Sequence, residues 1–141
     1  MAKDTSMRTP LGRVRGHGAG HGGTGHFIGQ RVTAIALLLL GPWFVIGVAL
    51  AMRNPHYAGD AGSRQYAAAL DFLSEPVNAV GVILFVVAGV YHMCIGMQEV
   101  VEDYIGKPIA KALLLALNML LCISLAAAAI YAVLHVNFSG E

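Results

Sequence analysis

Residues 32–52 read VTAIALLLLGPWFVIGVALAM, an uncharged run closed by Arg31 on one side and Arg53 on the other. A helix needs about 20 apolar residues to cross the hydrocarbon of a bilayer, and this run supplies them. Two more runs follow. Pro76 to Gln98 carries no charge between Glu75 and Glu99, and after Lys111 nothing is charged until Glu141. A core helix of a soluble domain rarely needs one uncharged run of that length. Three in succession define an all-α chain with three transmembrane helices, expected near 32–52, 77–99 and 111–135.

The composition agrees. Of 141 residues, 57% are apolar and 12% charged, and the mean hydropathy is +0.66. Soluble domains carry roughly 25% charged residues, so this chain has too few to cover a surface in water. A formal net charge of +1 excludes a nucleic-acid partner. Cys94 and Cys122, the only cysteines, both fall inside expected spans. They read as small apolar packing residues rather than a disulfide framework. The organisation is a polar segment, 1–31, followed by one three-span membrane domain, 32–141. Ala49-Leu50-Ala51 resembles a signal-peptide cleavage pattern. The polar stretch before it and the apolar run are both too long for a cleaved leader.

Lys and Arg set the expected orientation. Lys3, Arg8, Arg13, Arg15 and Arg31 precede the first span, and Lys107 and Lys111 lie between the second and third. The opposite side has only Arg53 and Arg64. The N-terminus is therefore expected in the cytoplasm (or a mitochondrial matrix) and the C-terminus on the outer side. Residues 16–26 are rich in glycine and histidine and alone would be mobile. His17, His21 and His26 have a zinc-like spacing, but without a cysteine or a structured frame they read better as part of a docking segment. In the outer loop, Tyr66, Leu70 and Leu73 fall at helical spacing, which predicts a short interfacial helix. Ser74-Glu75-Pro76 reads as the next helix start, with Ser74 as N-cap, Glu75 in the first turn and Pro76 early. His135 is expected to reach the outer interface, and Met93, Met97 and Met119 to fill gaps.

His92 is the residue that most needs a chemical reason. It lies seven positions before Glu99, about 10 Å inside the end of the second span. An imidazole in hydrocarbon finds a partner or costs several kcal/mol, and no ionisable side chain in the uncharged cores of the other spans pairs with it. Two readings stand: a metal, cofactor or second subunit completes it, or a carbonyl or hydroxyl of a neighbouring helix does. Ala88, Gly89 and Gly96 flank it on the same helical face. Small residues there leave room for a flat group such as a haem, and serve equally for close helix packing. Further along, Tyr104 offers a phenolic donor at the membrane surface with Asp103 beside it, suited to a quinone carbonyl that gains electrons and protons. Tyrosines also simply anchor spans at that depth. Arg31 can meet an anionic group at headgroup level, such as a haem propionate, or can snorkel and set topology.

Two stretches carry a family resemblance. Arg8-Thr9-Pro10-Leu11-Gly12-Arg13-Val14-Arg15-Gly16, then Gly23-Thr24-Gly25-His26-Phe27-Ile28-Gly29-Gln30-Arg31-Val32-Thr33-Ala34, resembles the start of the bacterial succinate dehydrogenase hydrophobic membrane anchor (D) subunits. His92-Met93-Cys94-Ile95-Gly96-Met97-Gln98-Glu99-Val100-Val101-Glu102-Asp103-Tyr104 resembles their H-x3-G-M-x2-V-x2-D-Y signature. The resemblance implies a multi-pass inner-membrane subunit with a cytoplasmic N-terminus and a periplasmic C-terminus. Its partners would be a second anchor, an iron–sulfur subunit and a flavoprotein, in a complex that oxidises succinate and reduces ubiquinone. It assigns His92 as an axial ligand of a haem b shared with the second anchor. Tyr104 and Asp103 fall to the quinone site, and Arg31 to the propionate or quinone pocket. No dicarboxylate chemistry falls to this chain alone. The anchor of a fumarate reductase, or a cofactor-free structural subunit, are the alternatives.

Overall fold

The structure, a computed structural model, describes residues 20–53 and 60–139, with side chains from Thr24. The candidate roles given to residues 1–19, including His17, lie outside the described residues, as does the side chain of His21. Among the described residues there are four helices and no strand: α1 Gly20–Met52, α2 Ala61–Ser74, α3 Pro76–Tyr104 and α4 Pro108–Ser139. Three are long and apolar enough to cross a membrane, over Thr24–Met52, Pro76–Tyr104 and Pro108–Ser139. Each includes one of the three expected spans. The helices outrun the apolar runs because hydrocarbon thickness limits the apolar residues, whereas a helix continues until something breaks it. For α3 the break is Ile105-Gly106-Lys107 before Pro108, where the Ile105 N–H still bonds to the Val101 carbonyl. At its other end α1 begins inside the glycine-rich stretch, with Gly20, Gly22, Gly23 and Gly25 in helix.

The arrangement is a row rather than a closed bundle. α3 packs against α1 on one side and α4 on the other, and the backbones of α1 and α4 do not come together. α2 lies across one end, against all three. The few buried residues are apolar, and no polar or charged residue is buried among those described. Leu38, Leu39, Ile109 and Leu113 are about 70% exposed or more. In water such a surface would be untenable; in a bilayer it is the solvent-facing side.

Among the described residues, the compact apolar cluster is at the α2 end. Phe72, Ala79, Val82 and Val133 form it, with Trp43, Phe44 and Val48 packed against them. Phe44 stacks on Phe85 at 5.3 Å and meets the Phe72 ring edge-on at 6.4 Å. Trp43 lies flush on α3 at Gly81, where a Cβ would collide with the indole. Beside the cluster is an apolar cavity of about 230 Å³.

Polar side chains pin the helices at chosen heights. Asn118 of α4 donates to the Cys94 carbonyl of α3 at 3.0 Å. Asn137 donates to the Leu73 and Ser74 carbonyls at 3.1 and 2.8 Å, satisfying the free carbonyls that end α2. Lys111 Nζ reaches the Glu102 carbonyl at 2.7 Å and does the same for α3.

Several local expectations need correction. The short helix exists as expected; its buried residues are Ala68 and Phe72, Leu70 and Leu73 are half-buried, and Tyr66 is 67% exposed. Alanine lets the helix lie close, so the small residue faces inward and the tyrosine outward. Ser74 is not an N-cap: it is the last residue of α2, donating to the Asp71 carbonyl, and Glu75 is the cap position, with Pro76 at the first turn. Met93, Met97 and Met119 are exposed rather than gap-filling. His135 is exposed and lies 5.8 Å from the Tyr131 ring.

Candidate functional site

α1 and α3 run antiparallel, so the first half of α1 lies beside the second half of α3. Gln30, Thr33 and Leu37 fall on one face of α1 at helical spacing, and that face meets the Gly89, His92 and Gly96 face of α3. Gly29 lets α1 approach: a Cβ there would lie 3.2 Å from Ile95 Cδ1 and 3.4 Å from the Tyr91 ring. The two glycines beside His92 serve packing within this chain: Gly89 receives Leu37 and Gly96 receives the Gln30 amide. The space they leave is taken by α1.

His92 has a partner in its own chain, a hydroxyl of the neighbouring helix, which is the second of the two readings the sequence leaves open. Its Nδ1 lies 3.0 Å from Thr33 Oγ1. The same hydroxyl is 2.8 Å from the Gly29 carbonyl and 3.2 Å from the Gln30 carbonyl. The other ring nitrogen, Nε2, faces the Gln30 amide nitrogen at 3.5 Å, at the outer limit of a hydrogen bond. Gln30 Oε1 is buried and has no partner among the described residues. The sequence does not single out Thr33 as that hydroxyl, because a threonine in a helix is usually read as bonding its own backbone.

Outward from His92 the groove between α1 and α3 opens into a recess of about 750 Å³. Its walls carry His26, Gln30 and Arg31 from α1, and His92, Glu99 and Glu102 from α3. Arg31 lies over the Phe27 ring, 4.6 Å from its centroid, a contact that steadies a cation at a membrane surface. Two of the predicted site residues, His92 and Arg31, thus share one recess. Tyr104 and Asp103 do not border it. They end α3, exposed, Tyr104 by 82%. His26 and Gln30 belong to the recess and were not singled out for it; their spacing to Thr33 on one helical face was the available signal. Among the described residues no three His, Cys, Asp or Glu side chains converge as a metal site.

With this geometry in view, the chain belongs to the succinate dehydrogenase/fumarate reductase transmembrane subunit family, whose pattern covers residues 5–133. It is 31% identical over 132 residues to the succinate dehydrogenase hydrophobic membrane anchor subunit of Paracoccus denitrificans, covering 94% of both chains. The like-named subunit of Rickettsia bellii is 28% identical over 114 residues, 80% of this chain and 83% of that one. The Rickettsia conorii subunit is 28% identical over 117 residues, covering 83% and 86%. No solved structure shows a significant match.

Proposed function

We propose that this chain is a membrane anchor of a succinate:ubiquinone oxidoreductase, holding a haem b through His92 and forming part of the quinone-reducing site. The observation that carries the reading is the state of His92. One ring nitrogen is fixed by Thr33, and the other meets only a long amide contact. An axial ligand contributes a single neutral imidazole nitrogen per chain, so the absence of a three-residue metal cluster does not bear on it. The Gln30 side chain stands before that nitrogen and must turn aside for a ligand. It gives up only a 3.5 Å contact, and its oxygen has no partner to lose. The residues therefore fit the group.

When bound, the haem supplies a one-electron store near the quinone. The rest is the work of side chains. Arg31, on the same recess wall, offers its guanidinium to a propionate or to the quinone pocket. Tyr104, exposed at the end of α3, donates its phenolic hydrogen bond to a quinone carbonyl, and Asp103 beside it holds or relays a proton. The exposed faces of α1 and α4 go to lipid and to a second anchor, whose own histidine would complete the hold on the haem. The basic end of the row, with Arg31, Lys107 and Lys111, faces the cytoplasm of a bacterial cell and receives the iron–sulfur and flavoprotein subunits.

The Thr33 contact favours a second reading, a cofactor-free anchor in which His92 only ties α3 to α1. Purification through a tag on this chain separates the two. The first reading expects a flavoprotein, an iron–sulfur protein and a second anchor to co-purify with a low-spin haem b spectrum. The same subunits without haem favour the second reading, and absence of the flavoprotein contradicts both.

A further inference from the structure

We infer that Thr33 is a positioning residue that fixes the tautomer and ring orientation of His92, through a hydrogen-bonded chain running from the imidazole to the Gly29 carbonyl. The inference rests on the haem reading above and deepens it. A threonine hydroxyl has one proton. Thr33 Oγ1 lies 2.8 Å from the Gly29 carbonyl and 3.2 Å from that of Gln30, and carbonyls only accept. Donation to Gly29 leaves Oγ1 lone pairs toward His92 Nδ1 at 3.0 Å, so the imidazole is the donor in that contact. The opposite assignment sets two oxygens at 2.8 Å with no hydrogen between them. With its proton on Nδ1, the ring presents a bare lone pair at Nε2. The group facing Nε2 is the Gln30 side-chain amide, at 3.5 Å.

Gly29 gives the chain its register. The absence of a side chain there lets α1 approach Tyr91 and Ile95 on either side of His92 in sequence, which brings Thr33 within reach of the ring. Its carbonyl then receives the hydroxyl proton. A histidine ligand commonly donates its second ring N–H to an acceptor, which orients the ring and raises its basicity. Here the acceptor is a side-chain hydroxyl anchored to the backbone of the neighbouring helix.

The test uses the intact membrane complex carrying Thr33→Val, Thr33→Ala or Thr33→Ser, with His92→Ala as reference. Thr33→Val keeps the shape and removes the hydroxyl. Haem affinity should fall about 10- to 100-fold, the haem midpoint potential should rise as the ring donates less charge, and the low-spin electron paramagnetic resonance g-values should shift as the ring turns. Thr33→Ser should restore all three. Thr33→Ala only removes atoms and carries the test if the valine variant does not assemble. Wild-type haem content, potential and g-values in both hydroxyl-free variants would overturn the inference while leaving the haem reading intact. So would failure of both to assemble beside a normal serine variant, because Thr33 would then be needed for folding rather than positioning. Haem retained at wild-type level in His92→Ala would instead overturn the haem reading itself.

Discussion

Asn118 donates its amide to the carbonyl of Cys94, 3.0 Å away and two residues along α3 from His92. α3 is thus held on both sides of the row near one height, by Asn118 of α4 and by Thr33 of α1. In hydrocarbon such a bond is worth about 0.6 kcal/mol on average and up to about 1.7. Replacing Asn118 with the near-isosteric leucine should lower resistance to unfolding in detergent by about 1 kcal/mol and leave the haem spectrum unchanged. Equal unfolding midpoints in variant and wild type would show that the bond carries no net stability.

Trp43 against Gly81 is the tightest seam of the fold. A Cβ at Gly81 meets the aromatic ring rather than the tip of a flexible side chain. Gly81→Ala should therefore destabilise by about 1–3 kcal/mol through overpacking. Trimming the ring with Trp43→Phe should recover part of that loss, measured as a coupling between the two sites in a double-mutant cycle.

In the proposed quinone site, Tyr104 would act through its hydroxyl alone. Tyr104→Phe should slow quinone reduction about tenfold, the rate equivalent of one lost hydrogen bond of about 1.4 kcal/mol. Succinate oxidation with an artificial acceptor should continue at the wild-type rate. Unaltered quinone reduction would remove the tyrosine from the mechanism.

Asp60, at the start of α2 and outside the spans, accepts a hydrogen bond from the Ser63 hydroxyl. That bond, then those from the backbone, hold its carboxyl below the usual carboxylate range. The ionised form is the one favoured by folding, so this contribution is complete above the ordinary carboxylate value and lost as pH falls through the lowered one. Ser63→Ala should move the Asp60 titration upward, read from its carboxyl resonance by nuclear magnetic resonance.

The spans were legible because bilayer thickness converts directly into a count of uncharged residues. His92 was legible because a lone imidazole at that depth demands a partner. The partner was not. Thr33 is unremarkable in sequence, and its role depends on how closely α1 approaches α3, which Gly29, Gly89 and Gly96 jointly allow. The inward face of α2 is not legible for a related reason. Periodicity identified a helix from Tyr66, Leu70 and Leu73, but a helix laid across three others buries what fits closest, Ala68 and Phe72. Asn118 and Asn137 passed unnoticed because uncharged polar residues do not interrupt a hydropathy run, although each joins two helices.

The account turns on what occupies Nε2 of His92. The most direct measurement is the reduced-minus-oxidised optical spectrum of the purified complex carrying His92→Ala. Subunit content and succinate oxidation by an artificial acceptor, measured alongside, report whether the complex is assembled. The account predicts a full set of subunits with the low-spin haem b signal lost or reduced at least tenfold. An assembled complex with that signal at wild-type strength would contradict it.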